Sequence, residues 1–500
     1  MEPLLANQKR PEFPAYGSEQ PDSPPEHEGY ISPFKLKAIA MKMRHRLQRS
    51  GVLEQRQQEQ QQQQQQGVPE ADMTEDETPN NLVGLKMIIL HPICILLISV
   101  PLGLASSYLS WGPAWTFWLN FIALMPLAKI LGDATEELAA SIGNDAITGL
   151  LNASFGNAVE LIVAIQSLRA GLLSVVKCSL LGSVLSNILL VLGTAFLLGG
   201  LTPGKVGQRR FCSFNDSGSF TDRYVGLEKE QKFPVKGALV SMAMLLFSCM
   251  SFALPTIFNA RPTDDFEAVL TVSRIGAWIV MSSYLAFLVF QLFTHRKTLT
   301  KEENALGVVS WGLASMPIHT SEGEDDCEEN SSEEAASLTR WFAFGLMALT
   351  TIVVSVNSEF MVDAIESVVK ECGIPQNFIG IILLPVAGNA CEHASAIRFA
   401  MQDRPGLAIG IAVGSSTQVA LLIVPVSVVV GWFLDQPMNL DFGCLHTAVV
   451  TLSILVVLTL LLDGRANWLK GYILICLYVF ISVLYWWVPT DEISDRGWEL

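Results

Sequence analysis

The chain has 500 residues, half of them hydrophobic, with a formal net charge of −16 at pH 7. Its mean hydropathy is positive even though the first 80 or so residues are strongly polar, which marks a polytopic membrane protein. The acids gather in the N-terminal tail, in residues 321–334 and in the last ten residues. No basic patch is left for nucleic acid, and the nine cysteines, several of them inside apolar runs (Cys94, Cys178, Cys249, Cys476), lack disulfide-framework or zinc spacing.

Residues 1–81 mix Pro, Gln, Glu and Ser and include an unbroken glutamine run from Gln60 to Gln66. Such a segment cannot bury a core and is expected to be a disordered cytosolic tail. Within it Leu36, Ala40, Met43 and Leu47 recur at helical spacing beside Lys35, Lys37, Lys42, Arg44 and Arg46. That pattern suits a basic helix on an anionic membrane face or on the protein's own cytosolic surface, or an ordinary solubilising helix. No apolar signal sequence opens the chain, so the first span is expected to serve as its own insertion signal.

Hydrophobic runs follow at roughly 86–109, 115–139, 150–168, 174–200, 236–258 and 272–293, then at 340–366, 378–397, 406–435, 443–463 and 469–487. At about 1.5 Å rise per residue each can cross a core of about 30 Å, which predicts eleven transmembrane helices in an all-α bundle. Residues 82–110 form an extra first span, 111–300 a first five-helix repeat, 301–339 an acidic cytosolic linker, 340–488 a second repeat and 489–500 a short lumenal tail. Five crossings per repeat is odd, so the two repeats are expected to be inverted. With a cytosolic N-terminus, the Lys- and Arg-bearing loop at 201–235 and the one opening His295-Arg296-Lys297 both fall in the cytosol, as the positive-inside rule prefers.

The duplication is visible in the residues. Gly156-Asn157-Ala158-Val159-Glu160 returns 232 positions later as Gly388-Asn389-Ala390-Cys391-Glu392, and at the same offset Gly182-Ser183 matches Gly414-Ser415. A carboxyl inside a span costs on the order of 3 kcal/mol at mid-depth by insertion scales, so Glu160 and Glu392 are functional by default. Asn157 and Glu160 are three apart, which predicts one helix face, and Gly156 lets the helix loosen there. Asn389 and Glu392 supply an opposing wall. Two carboxylates with carbonyl oxygens form the ligand set of a hard divalent cation such as Ca²⁺. Ser183 with Ser186, and Ser415 with Gln418, are i and i+3 pairs that could present further oxygens to the ion or bond back to their own turns. His393 follows Glu392 directly and is expected on another helix face, as an interhelical histidine or a proton relay.

Further acids flank these motifs. Asp133, Glu136 and Glu137 are echoed at offset 230 by Asp363 and Glu366 and read either as an access funnel or proton antenna, or as solvated helix ends. The linker carries Glu324, Asp325, Asp326, Glu328 and Glu329 among eight acids and no base between Ser321 and Glu334. It is a solvated connection or a cation-attracting, regulatory segment.

The run Leu151-Asn152-Ala153-Ser154-Phe155-Gly156-Asn157-Ala158-Val159-Glu160-Leu161, paired with Gly388-Asn389-Ala390-Cys391-Glu392-His393-Ala394, resembles the cation/proton exchangers of the calcium/cation antiporter superfamily, the vacuolar Ca²⁺/H⁺ type. The resemblance spans about Leu82 to Trp487. It implies that Glu160 and Glu392 are the exchange site, with Asn157, Asn389, Ser183, Ser186, Ser415 and Gln418 contributing, and that the membrane belongs to a vacuole or another acidic organelle. It also implies a soluble tail able to restrain transport, although the glutamine-rich tail matches no family pattern.

The expected function is antiport of Ca²⁺, with Mn²⁺ as a second candidate load, against H⁺. A sodium-driven exchanger of the same superfamily and a cation channel are the alternatives. An enzyme is not expected: His393 has no second His at ligand spacing and no Gly-x-Ser-x-Gly element is present. No resident cofactor is expected, and the partners are membrane lipid and the transported ions. A homo-oligomer fits this reading, as does binding of the tail to the transporter core or to a regulator. The C-terminus is expected in the lumen.

Overall fold

The computed structural model describes residues 80–142, 151, 154–202, 229–260, 266–295 and 337–488. The N-terminal tail with its basic segment, residues 203–228, most of the acidic linker including Glu324, Asp325, Asp326, Glu328 and Glu329, and residues 489–500 lie outside the described residues. The rest is helical: α1 Asn81–Ile89, α2 Pro92–Tyr108, α3 Pro113–Ile142, α4 Ala158–Arg169, α5 Leu173–Leu201, α6 Val235–Asn259, α7 Phe266–Thr294, α8 Arg340–Cys372, α9 Gln376–Gly388, α10 Ala390–Met401, α11 Pro405–Phe433, α12 Cys444–Leu461 and α13 Trp468–Trp487.

Among the described residues eight helices are long and apolar enough to cross a membrane, and up to ten spans result if each bent pair counts as one. The bent pairs modify the expected straight spans. The run read at 86–109 is α1 and α2, turned by 84° where His91 and Pro92 interrupt the hydrogen-bond ladder. The run at 378–397 is α9 and α10, turned by 59° at Asn389. The run at 150–168 lies partly outside the described residues; it is helical at Ser154 and Phe155, turns at Gly156 and Asn157, and resumes as α4 at Ala158. Exposed apolar side chains such as Trp278, Ile279, Phe344, Ile352 and Phe480 cover the outside of the bundle, as a lipid-facing surface requires.

The two sequence copies fold alike. α4 and α10 begin at Ala158 and Ala390, and α5 and α11 at Leu173 and Pro405, each 232 positions apart. α5 and α11 also carry matching π-helical stretches, Ser186–Val191 and Val419–Ile423. A π segment locally breaks the i to i−4 ladder and often marks a functional position. α3 and α8 form the most extensive helix pair, and α6 packs on α12. α10 and α13 both lie against the second half of α5. One large core runs through α5, α11 and α12, and a second joins α3, α8 and α9.

Glycines set the closest approaches. A Cβ on Gly182 would stand 2.3 Å from the Ile381 carbonyl oxygen, so α5 and α9 touch backbone to backbone. A Cβ on Gly471 would stand 2.2 Å from the Leu197 amide and 2.5 Å from the Gly193 carbonyl, which fixes where α13 crosses α5. A two-stranded ladder, β1 Gln231–Lys232 with β2 Arg465–Ala466, ties the segment before α6 to the α12–α13 turn. Lys229 donates to the Gly199 and Thr202 carbonyls at the end of α5 and pairs with Asp403 beyond α10.

Candidate functional site

The copied motifs meet at two helix starts. The helical residues Ser154 and Phe155 give way to a turn over Gly156 and Asn157, and Asn157 becomes the N-cap residue of α4, with Glu160 in its first turn. Asn389 occupies the same place before α10, with Glu392 in the first turn. Asn and Glu keep the three-residue spacing of one helix face, and the loosening expected at Gly156 is a full break. The amide lies at the break and the carboxylate just inside the new helix, because an Asn following Gly favours an end over an interior. Carboxylates in first turns are also aligned with the positive ends of α4 and α10.

Both asparagines are buried and reach across to the other copy. Ser415 Oγ donates to Asn157 Oδ1 at 2.8 Å, and Asn157 Nδ2 donates to Gln418 Oε1 at 2.6 Å. Ser183 Oγ donates to Asn389 Oδ1 at 3.2 Å, and Asn389 Nδ2 donates to the Ser183 carbonyl at 3.3 Å. Asn157 pairs with the hydroxyl of the second half and Asn389 with that of the first, a crosswise exchange. Asn187 extends one arm only, donating to Ser415 Oγ at 3.0 Å; its counterpart 232 positions on is Val419.

The Glu160 carboxylate shares a cavity lining with Ser183 of this crossing. Glu160 Oε1 and Glu392 Oε2 are shielded from solvent and meet no hydrogen-bond partner among the described residues, as do Ser186 Oγ and Asn187 Oδ1. Glu160 Oε1 packs against Gly388, where a Cβ would stand 3.0 Å away. A cavity of about 20 Å³ opens beside Glu160 between Ser179, Ser183, Val163, Leu384 and Gly388, room for one water-sized occupant. Glu392 lies within electrostatic reach of Glu160. Unpaired buried oxygens are costly, and the two helix starts and the opening of the π stretch of α5 carry four of them among the described residues, two from carboxylates. They offer a hard, oxygen-only ligand set to a cation.

The other sequence candidates divide. His393 leaves the carboxylate side, and its Nε2 lies 2.7 Å from Thr194 Oγ1 on α5. Asp133 pairs with Lys129 one turn earlier on α3. Glu136 is exposed and lies within electrostatic reach of Glu392. The Glu137 carboxylate accepts from the Ser337 amide at 2.9 Å, the Ser337 hydroxyl at 2.8 Å and the Leu338 amide at 3.1 Å, and so holds the approach to α8. Asp363 is exposed, and Glu366, exposed as well, stands 3.6 Å from Lys370. Asn187 and Thr194 escaped the sequence reading. Asn187 stands beside Ser186 in a motif already singled out, whereas nothing in sequence couples Thr194 to a histidine 199 residues away.

A helical membrane bundle whose two duplicated halves close on paired intramembrane carboxylates has the architecture of an ion exchanger. The chain belongs to the sodium/calcium exchanger protein family, whose model matches residues 112–293 and 342–487. Its relatives include vacuolar cation/proton exchanger 5 of Arabidopsis thaliana, 35% identical over 424 residues, 84% of this chain and 87% of the relative. A Ca²⁺/H⁺ antiporter of Synechocystis is 35% identical over 397 residues, 79% of this chain and 97% of that one. The crystal structure of the Ca²⁺/H⁺ antiporter YfkE superposes with a TM-score of 0.59 at 28% identity, covering 79% of this chain and 99% of its own.

Proposed function

We propose that the protein is a Ca²⁺/H⁺ antiporter of an acidic organelle membrane, with Glu160 and Glu392 as the exchanging groups. The observation that carries this reading is the pair of first-turn carboxylates, one from each half, each with an oxygen buried and unpartnered at a crossing of amides and hydroxyls. Two carboxylates this close in a low-dielectric site need a neutralising load. One doubly charged cation or two protons supplies it, and an empty, doubly negative site is disfavoured from crossing. Each load therefore leaves only as the other arrives, and the two fluxes are opposed.

Asn157 and Asn389, with Ser183, Ser186, Ser415 and Gln418, shape the remainder of the site. The amides hold the hydroxyls across the crossing, which fixes the oxygen positions without adding charge. The two five-helix repeats are inverted about the crossing, so that rocking one set of helices against the other opens the site to either face in turn. The N-terminus lies in the cytosol and the C-terminus in the lumen, and protons leaving the lumen drive the divalent cation in. The names of the relatives, a vacuolar cation/proton exchanger and a Ca²⁺/H⁺ antiporter, support proton coupling over sodium coupling.

The test is ⁴⁵Ca²⁺ uptake into acid-loaded proteoliposomes, comparing the wild type with Glu160→Gln and Glu392→Gln. Both variants are expected to insert normally and to lose exchange, and uptake is expected to collapse when the pH gradient is dissipated. Uptake that survives this treatment and follows a sodium gradient would refute the coupling ion. A variant that still exchanges would remove its residue from the mechanism.

A further inference from the structure

The crosswise bonds leave one contributor without support. Gln418 is held by the Asn157 amide at 2.6 Å. The matching position in the first half is Ser186, 232 residues earlier. A serine is too short to repeat that contact, and the Asn389 amide turns instead to the Ser183 carbonyl. Ser186 Oγ is buried and lacks a hydrogen bond among the described residues, although it opens the π-helical stretch of α5. A hydroxyl in that state costs free energy and has no defined direction for its lone pairs.

α13 stands where the missing donor would be. Antiparallel α5 and α13 cross backbone to backbone at Gly193 and Gly471. Seven residues before Gly193 is Ser186 and seven after Gly471 is Tyr478, so two helical turns from the crossing these side chains arrive at one level. The Tyr478 hydroxyl does lie beside Ser186. It is buried and, like Ser186 Oγ, falls short of hydrogen-bonding geometry to any group among the described residues. Two adjacent hydroxyls, both shielded from solvent and both without a partner among the described residues, close on each other with small side-chain rotations.

We propose that Tyr478 is a positioning residue of the exchange site: its hydroxyl donates to Ser186 Oγ and aims the serine's free lone pair at the bound cation. The inference rests on the reading of Ser186 as part of that site. Tyr478 thus does for Ser186 what Asn157 does for Gln418, but from a helix that bears no exchange-site residue of its own. Tyr478 touches no transported ion.

The test is Tyr478→Phe, which keeps the ring and removes one oxygen, assayed in full-length protein by ⁴⁵Ca²⁺ uptake at graded Ca²⁺. The expected result is a KM raised about three- to tenfold, as loss of one buried hydrogen bond allows, with Vmax within about twofold and an unchanged melting profile in detergent. In a Ser186→Ala background the same substitution should change nothing further, because the two act as one unit. Tyr485→Phe removes from the same helix another buried hydroxyl that has no hydrogen bond among the described residues, and should leave KM alone.

An unchanged KM in Tyr478→Phe overturns the proposal. So does an equal rise in the Ser186→Ala background or in Tyr485→Phe, since either would assign the effect to helix packing. Glu160→Gln, run in parallel, separates the two levels. A silent Tyr478→Phe beside an inactive Glu160→Gln sinks the tyrosine alone, whereas an active Glu160→Gln removes the site itself.

Discussion

Gly182 and Gly414 hold the same place in the two copies, yet replacing them with alanine should have opposite effects. A Cβ on Gly182 would lie 2.3 Å from the Ile381 carbonyl oxygen, 2.6 Å from Ile381 Cα and 2.7 Å from Pro385 Cγ. Two of these neighbours are backbone and cannot swing away, so α5 and α9 must part by about 1 Å to restore ordinary contact. The next residue, Ser183, donates to Asn389 at 3.2 Å, and that separation carries the bond past hydrogen-bonding range. Overpacking costs about 1–3 kcal/mol, and the lost bond adds about 0.5–1.5 kcal/mol. At Gly414 no neighbouring element among the described residues stands within 4 Å of the new methyl, and alanine favours a helix over glycine by up to about 1 kcal/mol. Thermal unfolding of purified protein, followed by size-exclusion fluorescence, should show Gly182→Ala clearly destabilised and Gly414→Ala at or above the wild type. Equal shifts in the two variants would refute the reasoning, because they would mean that repeat position rather than local clearance sets the outcome.

Two further outcomes follow from the contacts. Asn157→Ala abandons Gln418 Oε1 and breaks bonds of 2.6 and 2.8 Å, leaving Ser415 with Asn187 alone, whereas Asn389→Ala breaks the longer bonds of 3.2 and 3.3 Å at Ser183. At about 1–3 kcal/mol per abandoned buried group, denaturant titration should find Asn157→Ala the less stable of the two, and the reverse order would contradict the bonding pattern. In the α12–α13 turn, burial alone would raise the Asp463 carboxyl, but the Lys470 ammonium at 2.5 Å and the Arg465 amide outweigh it and hold the carboxyl below the ordinary aspartate value. The carboxylate therefore adds stability above that ordinary value and loses it as pH falls through the lowered one. The melting difference between wild type and Asp463→Asn should be level from pH 8 to 5 and shrink only in stronger acid. A difference that vanishes near neutrality would assign it to another group.

Much of the site was legible because duplication marks it twice. Gly, Asn and Glu inside apolar runs are rare enough that their recurrence at one offset marks both walls of the proposed site. Length and hydropathy likewise located the helices, whose starts at Ala158 and Ala390 keep the sequence offset. Periodicity could not show that the chain breaks at each asparagine, because one helical face and a helix start share the same three-residue spacing. Nor could it show which copy each amide would seek. The crosswise pairs join residues 258 and 206 positions apart, and only packed helices bring them together. Glu137 is a related case: as one of three clustered acids it read as part of an access funnel or proton antenna or as a solvated helix end, and its carboxylate is taken up by the amides before α8. Tyr478 carries no sequence signal, since an aromatic in an apolar span reads as core.

The span of the Asn157–Ser415 bond also bears on biosynthesis. After Asn157 is made, the ribosome must add 258 residues before the hydroxyl it needs exists. At about 5–20 residues per second this takes roughly 13–50 s. Throughout that interval the leading half sits in the bilayer with its carboxyl and amide uncovered. Surveillance of nascent membrane proteins therefore has a long window in which to meet an unfinished chain, and substitutions that delay the trailing half prolong that exposure before transport is ever tested.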